Sequence, residues 1–515
     1  MRTRSSIINI SAGLANQLII TLLSFISRTV FIHILGVEYL GVNGLFTNIL
    51  AMLSLAEAGI GSSIIYSLYK PVAENDRTRI QSLMNLYRKA YLVIASVVFL
   101  LGVSVMPFLS FFVKDAQVDH IHLIFLIFLL NTCLPYLFQH KSSFLNVNQK
   151  SYIITMVFSV SSIVSMGLKI AVLSWTKNFI YYLVVECAVT LISSVFLYYV
   201  VDRMYPYLKE KVTRKLDPET RNSIIRNIKA IVLQNAGAYL IFGTDNIIIS
   251  SFVSVAAVGL YSNYNMLIEI CRTFINQIFN NLYHSIGNLV AKETKDKIYS
   301  VYKVYWLINF WLYSFFAIFL YVILEPFIRL WIGSTYLMSN VVLIVLMVTF
   351  YERGMRNSIT TMKTTAGIFH EDRYVPLVQA VINLGFSIWL VQEIGIAGVF
   401  LGTLISAMAV PFWTTPYFVY RKVFNRQLRS YFATYSVYVG IGVATCLLTT
   451  WICGWLSAST WPMLLVRACA AALIPNLVYI LLFRKREEFR YLLGIITRLL
   501  STMAKRIKPH LANAR

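Results

Sequence analysis

The chain has 515 residues, 58% hydrophobic and only 13% charged, with a formal net charge of +23. Soluble domains carry roughly a quarter charged residues, so the composition excludes a string of soluble domains and points to an all-α polytopic membrane protein. The positive charge is not a nucleic-acid footprint, because no basic soluble domain exists to carry one, and no nucleic-acid partner is expected.

A helix of about 20 apolar residues crosses the hydrocarbon core, and about fourteen such segments are predicted. The first, 7–34, follows Arg2 and Arg4 and has no small-residue cleavage site, so it reads as a retained span and not a signal peptide. Segments 40–67, 88–113, 120–140, 152–175 and 179–201 complete a six-span N-lobe over 1–201. Polar residues 202–228 form a linker, in which Asp217-Pro218-Glu219 predicts a short helix start: a cap, a first-turn proline and an acidic first turn. Segments 229–252, 256–289, 303–325, 336–362, 375–392 and 395–420 form a second lobe over 229–420, and two more spans, 431–455 and 461–483, lie within 421–483. The tail 484–515 sets Leu492, Leu493, Ile496, Leu499 and Met503 on helical spacing among Arg490, Arg498 and Lys505. It reads as an amphipathic helix on the inner membrane surface with anionic membrane lipids as partners; a solvated tail is the alternative.

The lobes read as one unit written twice. Gly41 matches Gly259, Val72-Ala73 matches Val290-Ala291, and Tyr87 matches Tyr305, all at one spacing. At a slightly wider spacing Lys141 matches Lys363 and Tyr152 matches Tyr374, each in a short polar hinge between apolar runs. Repeated membrane halves are a signature of transporters. Lys and Arg test the span count independently, because cytoplasmic loops concentrate them. With the N-terminus inside, most basic residues fall in inside loops and the tail, and the outside loops keep Lys114, Lys177 and Arg329. Both termini are therefore expected in the cytoplasm.

Several function classes are disfavoured. No Gly-rich loop ending in Gly-Lys-Ser/Thr is present, so ATP hydrolysis by that route is out. No external loop is long enough for a catalytic domain, and an enzyme is not expected. Cys133, Cys187, Cys271, Cys446, Cys453 and Cys469 all fall inside spans without a CxxC pair and read as small buried hydrophobes. His120 and His122 read as interfacial, and no metal or cofactor is expected.

Ionisable residues inside spans carry the chemistry, since each is expensive in lipid and needs a cavity or a partner. The cations are Arg28, Lys169, Arg272, Arg353, Arg356 and Arg467; the acids are Glu57, Glu186, Asp245, Glu269 and Glu352. Glu269 and Arg272 are spaced i,i+3 and Glu352 and Arg356 i,i+4, so each pair shares a helix face. Those pairs either neutralise each other or serve a ligand. Arg28 has no acid nearby on its own helix, which argues for an anionic ligand, since guanidinium grips phosphate bidentately. Snorkelling is the alternative for Lys169 and Arg467.

The segment Arg28-Thr29-Val30-Phe31-Ile32 through Leu35-Gly36-Val37-Glu38-Tyr39-Leu40-Gly41 resembles the first-helix signature of Wzx-type polysaccharide flippases. Ala56-Glu57-Ala58-Gly59-Ile60-Gly61 resembles their second span, and Gly259-Leu260-Tyr261-Ser262-Asn263 through Ser285-Ile286-Gly287-Asn288 their eighth. Their superfamily also holds multidrug extruders and lipid II flippases. The resemblance implies two six-helix lobes plus two C-terminal helices, alternating access, and a polyprenyl-pyrophosphate-linked glycan as cargo. It implies a glycan polymerase and glycosyltransferases as partners. By helix and approximate position it carries a cationic cavity onto Arg28 and Arg272. Arg353, Arg356 and Lys169 are further candidates for substrate binding. Asp245, Glu57 and Glu269 are candidates for coupling to Na+ or H+, with a structural partner for an arginine as the alternative role of Asp245. A multidrug antiporter, a membrane-embedded glycan polymerase or ligase, and a scaffold remain the other readings.

Overall fold

The structure is a computed structural model that describes residues 2–57, 60–113, 118–210, 222, 224–225, 239–241, 243–368, 371–494 and 497. Side chains are described from residue 19 onward, apart from Ala56, Ile60, Ser62, Asn281, His284 and Ser285. The predicted helix start at 217–219, most of the 202–228 linker and the amphipathic tail beyond 497 lie outside the described residues. The described elements are helices, with no strand among them. Contacts divide the chain into a first unit, Met1–Ser262, and a second, Asn263–Arg515.

In the first unit α1 runs Arg2–Leu53, broken at Gly36, whose φ of 83° is open to glycine and strained for other residues. A single 3-10 turn, Ser54–Glu57, precedes α2 (Ile60–Ala73). Then follow α3 (Arg77–Val105), α4 (Ile121–Cys133), α5 (Tyr136–Val147), α6 (Ser151–Thr176), α7 (Phe179–Met204) and the short α8 (Asp245–Phe252). Helix starts are written locally. Asp76 accepts the Arg79 N–H at 3.0 Å to open α3, and Asn178 accepts the Ile180 N–H at 2.8 Å to open α7. The next helix, α9 (Val255–Lys292), begins in the first unit and continues into the second.

The glycines matched by the repeat meet each other. A Cβ on Gly41 would overlap the Val255 carbonyl oxygen, and a Cβ on Gly259 would overlap that of Val37. Val37 stands four residues before Gly41, and Val255 four before Gly259. The contact is therefore reciprocal, as in a two-fold interface. Small residues let the two helix backbones touch, the usual device for helix packing in lipid.

The second unit is built around α10 (Lys295–Trp331), most of whose apolar stretch is buried. Around it stand α11 (Asn340–Met355), α12 (Asn357–Thr365), α13 (Val375–Ile394), α14 (Ile396–Ala409) and α15 (Pro411–Val419). The last helices, α16 (Arg429–Gly454) and α17 (Trp461–Phe483), attach through aromatic faces. Trp306 of α10 stacks on Tyr431 with centroids 4.9 Å apart, and Phe310 stacks on Tyr438 at 4.5 Å. Trp311 donates its indole N–H to Asn476 Oδ1 at 2.7 Å.

Among the described residues ten helices are long and apolar enough to cross a membrane. The expected count of about fourteen is not reached by such helices alone, for local reasons. Ile60–Ala73 has 14 residues and Asn340–Met355 has 16, and Glu269 and Arg272 interrupt the apolar content of α9. Residues 229–238, the start of another expected span, lie outside the described set. The outward surface is that of a multi-pass membrane protein: Leu22, Ile26, Leu100, Val381 and Leu465 are exposed, and Trp175, Trp455 and Trp461 stand exposed at helix ends.

Candidate functional site

The buried charges fall into two groups, one in each unit. In the first, Arg28 projects from α1, where its helical neighbours Ser24, Phe25, Phe31 and Ile32 supply no carboxylate. Its Nη2 donates to the Ser262 carbonyl oxygen at 2.8 Å, and its buried Nε makes no hydrogen bond among the described residues. No carboxylate pairs with it among those residues. Tyr182 interacts with it electrostatically and packs on Phe31, with ring centroids 5.3 Å apart.

Lys169 of α6 lies against the same tyrosine, with Nζ 4.8 Å from the ring centre, and pairs with Glu186 of α7 at 3.2 Å. Its charge is thus compensated inside the bundle. Glu57 ends the 3-10 turn and accepts the Tyr91 hydroxyl at 3.2 Å. Tyr91 in turn packs at 4.9 Å from Tyr87 and 5.8 Å from Tyr136, so the carboxylate stands in a ring of phenols. Asp245 is buried as the first residue of α8, where free backbone N–H groups favour an anion. The neighbouring Asn246 amide reaches the Gly44 carbonyl at 3.5 Å.

In the second unit Glu269 pairs with Arg272 on α9. Glu352 of α11 holds Arg356 through two bonds, Nε to Oε1 at 2.5 Å and Nη2 to Oε2 at 3.0 Å. Arg353 lies within electrostatic reach of Arg272, Glu269 and Arg356, so the structure brings all three arginines and both acids into one group. The group sits where α11 ends and α12 begins. The carbonyls freed at that break need donors, and buried Asn309 of α10 supplies its amide to Gly354 at 2.9 Å and to Met355 at 3.3 Å. Arg272, Arg353 and Arg356 exceed Glu269 and Glu352 by one charge.

Sequence reasoning missed a further pair in each unit. Lys141, expected in a polar hinge, lies within α5, is 6% exposed, and pairs with buried Asp202 of α7. Lys363, its repeat match, pairs with buried Asp372. The repeat that aligned the two lysines was the available signal; the acids lie too far along the chain for helical spacing to reveal them.

The sequence matches the family described as "Polysaccharide biosynthesis protein" over residues 6–283. No curated protein matches it. Among solved structures, the lipid II flippase MurJ in its inward closed conformation superposes with a TM-score of 0.64 at 14% identity, covering 91% of this chain and 98% of its own. An inward-facing multidrug resistance MATE family transporter of the MOP superfamily gives 0.59 at 15% identity, over 76% of this chain and 93% of its own. A variant of the Vibrio cholerae MATE transporter VcmN gives 0.54 at 14%, over 79% and 95%. At these identities the likeness establishes a shared fold.

Proposed function

The chain belongs to the polysaccharide biosynthesis protein family, and from that premise we propose that it flips a polyprenyl-pyrophosphate-linked oligosaccharide from the cytoplasmic to the outer leaflet of the cell membrane. Its family and fold neighbours are flippases and transporters, not enzymes. The observation that carries the choice of cargo is Arg28, a guanidinium inside an apolar helix that meets a carbonyl and no carboxylate among the described residues.

The physical problem is desolvation. A pyrophosphate and a hydroxyl-rich glycan lose their hydration in hydrocarbon unless the protein replaces it. Arg28 offers a bidentate grip for a phosphate, and the Arg272, Arg353 and Arg356 group offers a second cationic station. Lys169, already paired with Glu186, takes a lesser part. The halves expose these charges to the two sides of the membrane in turn, while the isoprenoid tail stays in lipid. Na+ or H+ exchange at Asp245 or Glu57 supplies direction, aided by a potential worth about 2.3 kcal/mol per charge per 100 mV. Both termini lie in the cytoplasm on the Lys/Arg asymmetry.

Arg28→Ala is expected to abolish surface polysaccharide while the protein still inserts, and Arg28→Lys to rescue it in part. Normal export by Arg28→Ala, together with raised drug tolerance of a sensitive host expressing the wild type, would replace this reading with multidrug antiport. For coupling, Asp245→Asn in vesicles should bind lipid-linked glycan yet no longer respond to an imposed Na+ or H+ gradient. A full response removes Asp245 from that role.

A further inference from the structure

The first unit carries a cavity that the proposed cargo path does not use. It lies where the start of α3, α5 and the end of α7 converge, with residues 206–210 folded beside them, and has a volume of about 300 Å³. That is the low end of the range of about 300–1,000 Å³ for small-molecule sites. On the orientation expected from the basic loops, it opens at the cytoplasmic end.

Its charges are of two kinds. Lys141 and Asp202 pair below the surface, and Lys141 Nζ also lies 3.5 Å from the centre of the Tyr198 ring. These groups hold α5 to α7. Arg88 and Lys209 line the same cavity but stand exposed. Lys209 reaches Asp202 only at 3.6 Å, and Arg88 makes no hydrogen bond or ion pair among the described residues. The Glu210 carboxylate lines the same cavity. Gln81 donates its amide to Glu210 Oε2 at 3.1 Å and to the Tyr207 carbonyl at 2.7 Å. Arg88, Lys141 and Lys209 exceed Asp202 and Glu210 by one positive charge.

We propose that this cavity binds a phosphate group, with Arg88 and Lys209 as its grips and the Glu210 carboxylate as the internal occupant that it displaces. The exposed Arg88 guanidinium and the exposed Lys209 ammonium, the latter paired only at 3.6 Å with Asp202, suit a multiply charged phosphate better than a single carboxylate, because charge-assisted bonds strengthen with the charge on the acceptor. Gln81, released from Glu210, donates to the same ligand. The site recognises the phosphate itself, whether it arrives on an anionic phospholipid of the inner leaflet or on a soluble phosphate ester. It stands apart from Arg28, so it holds whatever the cargo proves to be.

Two probes test it on the full-length protein in detergent: inorganic phosphate by equilibrium binding, and phosphatidic acid against phosphatidylcholine by native mass spectrometry. Wild type, Arg88→Gln/Lys209→Gln and Glu210→Gln are compared, each also carrying Arg28→Ala and Arg353→Ala to weaken both cationic stations proposed for the cargo. Loss of the two grips should weaken binding by at least about tenfold, and Glu210→Gln should tighten it several-fold, a gain that misfolding cannot imitate. Retention of phosphatidic acid alone identifies the lipid as the source; binding of inorganic phosphate alone identifies a soluble ligand. Unchanged binding in Arg88→Gln/Lys209→Gln, or binding of neither probe by the wild type, overturns the site. Failure of Glu210→Gln to tighten binding overturns the displacement.

Discussion

Arg28 and Arg272 are both arginines on membrane helices, yet they are prepared for different tasks. Arg272 has Glu269 one turn away on α9, and its charge is compensated before any ligand arrives. Arg28 has only apolar and hydroxyl neighbours within a turn of α1, and it rests on the Ser262 carbonyl with its Nε unsatisfied. A carbonyl dipole is a weak partner for a full charge, so Arg28 gains more from an incoming anion than an arginine already paired. What separates the two positions is a single acidic residue at helical spacing.

The largest expected effect tests that difference directly. Arg28→Ala should reduce glycan export by at least about a hundredfold, corresponding to about 3 kcal/mol. Arg272→Ala should reduce it several-fold, measured as surface polysaccharide at matched expression. Glu269→Gln would then release Arg272 and raise affinity for lipid-linked pyrophosphate. A heavier loss in Arg272→Ala than in Arg28→Ala would invert the comparison.

A second effect concerns stability. Gly41→Ala and Gly259→Ala each drive a methyl into a backbone carbonyl of the facing helix, and neither carbonyl can rotate away as a side chain would. Each change should cost about 1–3 kcal/mol, read as a lower unfolding midpoint in detergent. Because the contact is reciprocal, the two variants should lose similar amounts. A loss in only one of them would show that the two sides are not equivalent.

The smallest effect lies outside the spans. Burial raises the Glu488 carboxyl, but its backbone hydrogen bond and Lys303, 3.1 Å away, outweigh this and hold it below the usual range. A lowered folded value stabilises the ionised pair above the ordinary carboxylate range, and that stability disappears as pH falls through the lowered value. Glu488→Gln should therefore lower the unfolding midpoint slightly at neutral pH, within about 1 kcal/mol since Lys303 is partly exposed. It should match the wild type in strong acid. A difference that persists in acid would assign the effect to packing.

The sequence by itself determined the features that act over one helical turn or through the solvent. Apolar length and the scarcity of charge dictated a helical membrane protein, because lipid leaves the backbone no partner but itself. Spacing of i,i+3 and i,i+4 foretold the Glu269–Arg272 and Glu352–Arg356 pairs, and the lack of such spacing marked Arg28. Tertiary structure decided what joins distant helices. Nothing local tells Lys169 that Glu186 faces it, tells Lys141 that Asp202 lies against it, or surrounds Glu57 with Tyr87, Tyr91 and Tyr136. The repeat aligned Gly41 with Gly259, but only helix packing put each against the other's neighbouring valine. A buried charge takes whatever partner the packed helices bring within reach, and that geometry depends on every helix at once.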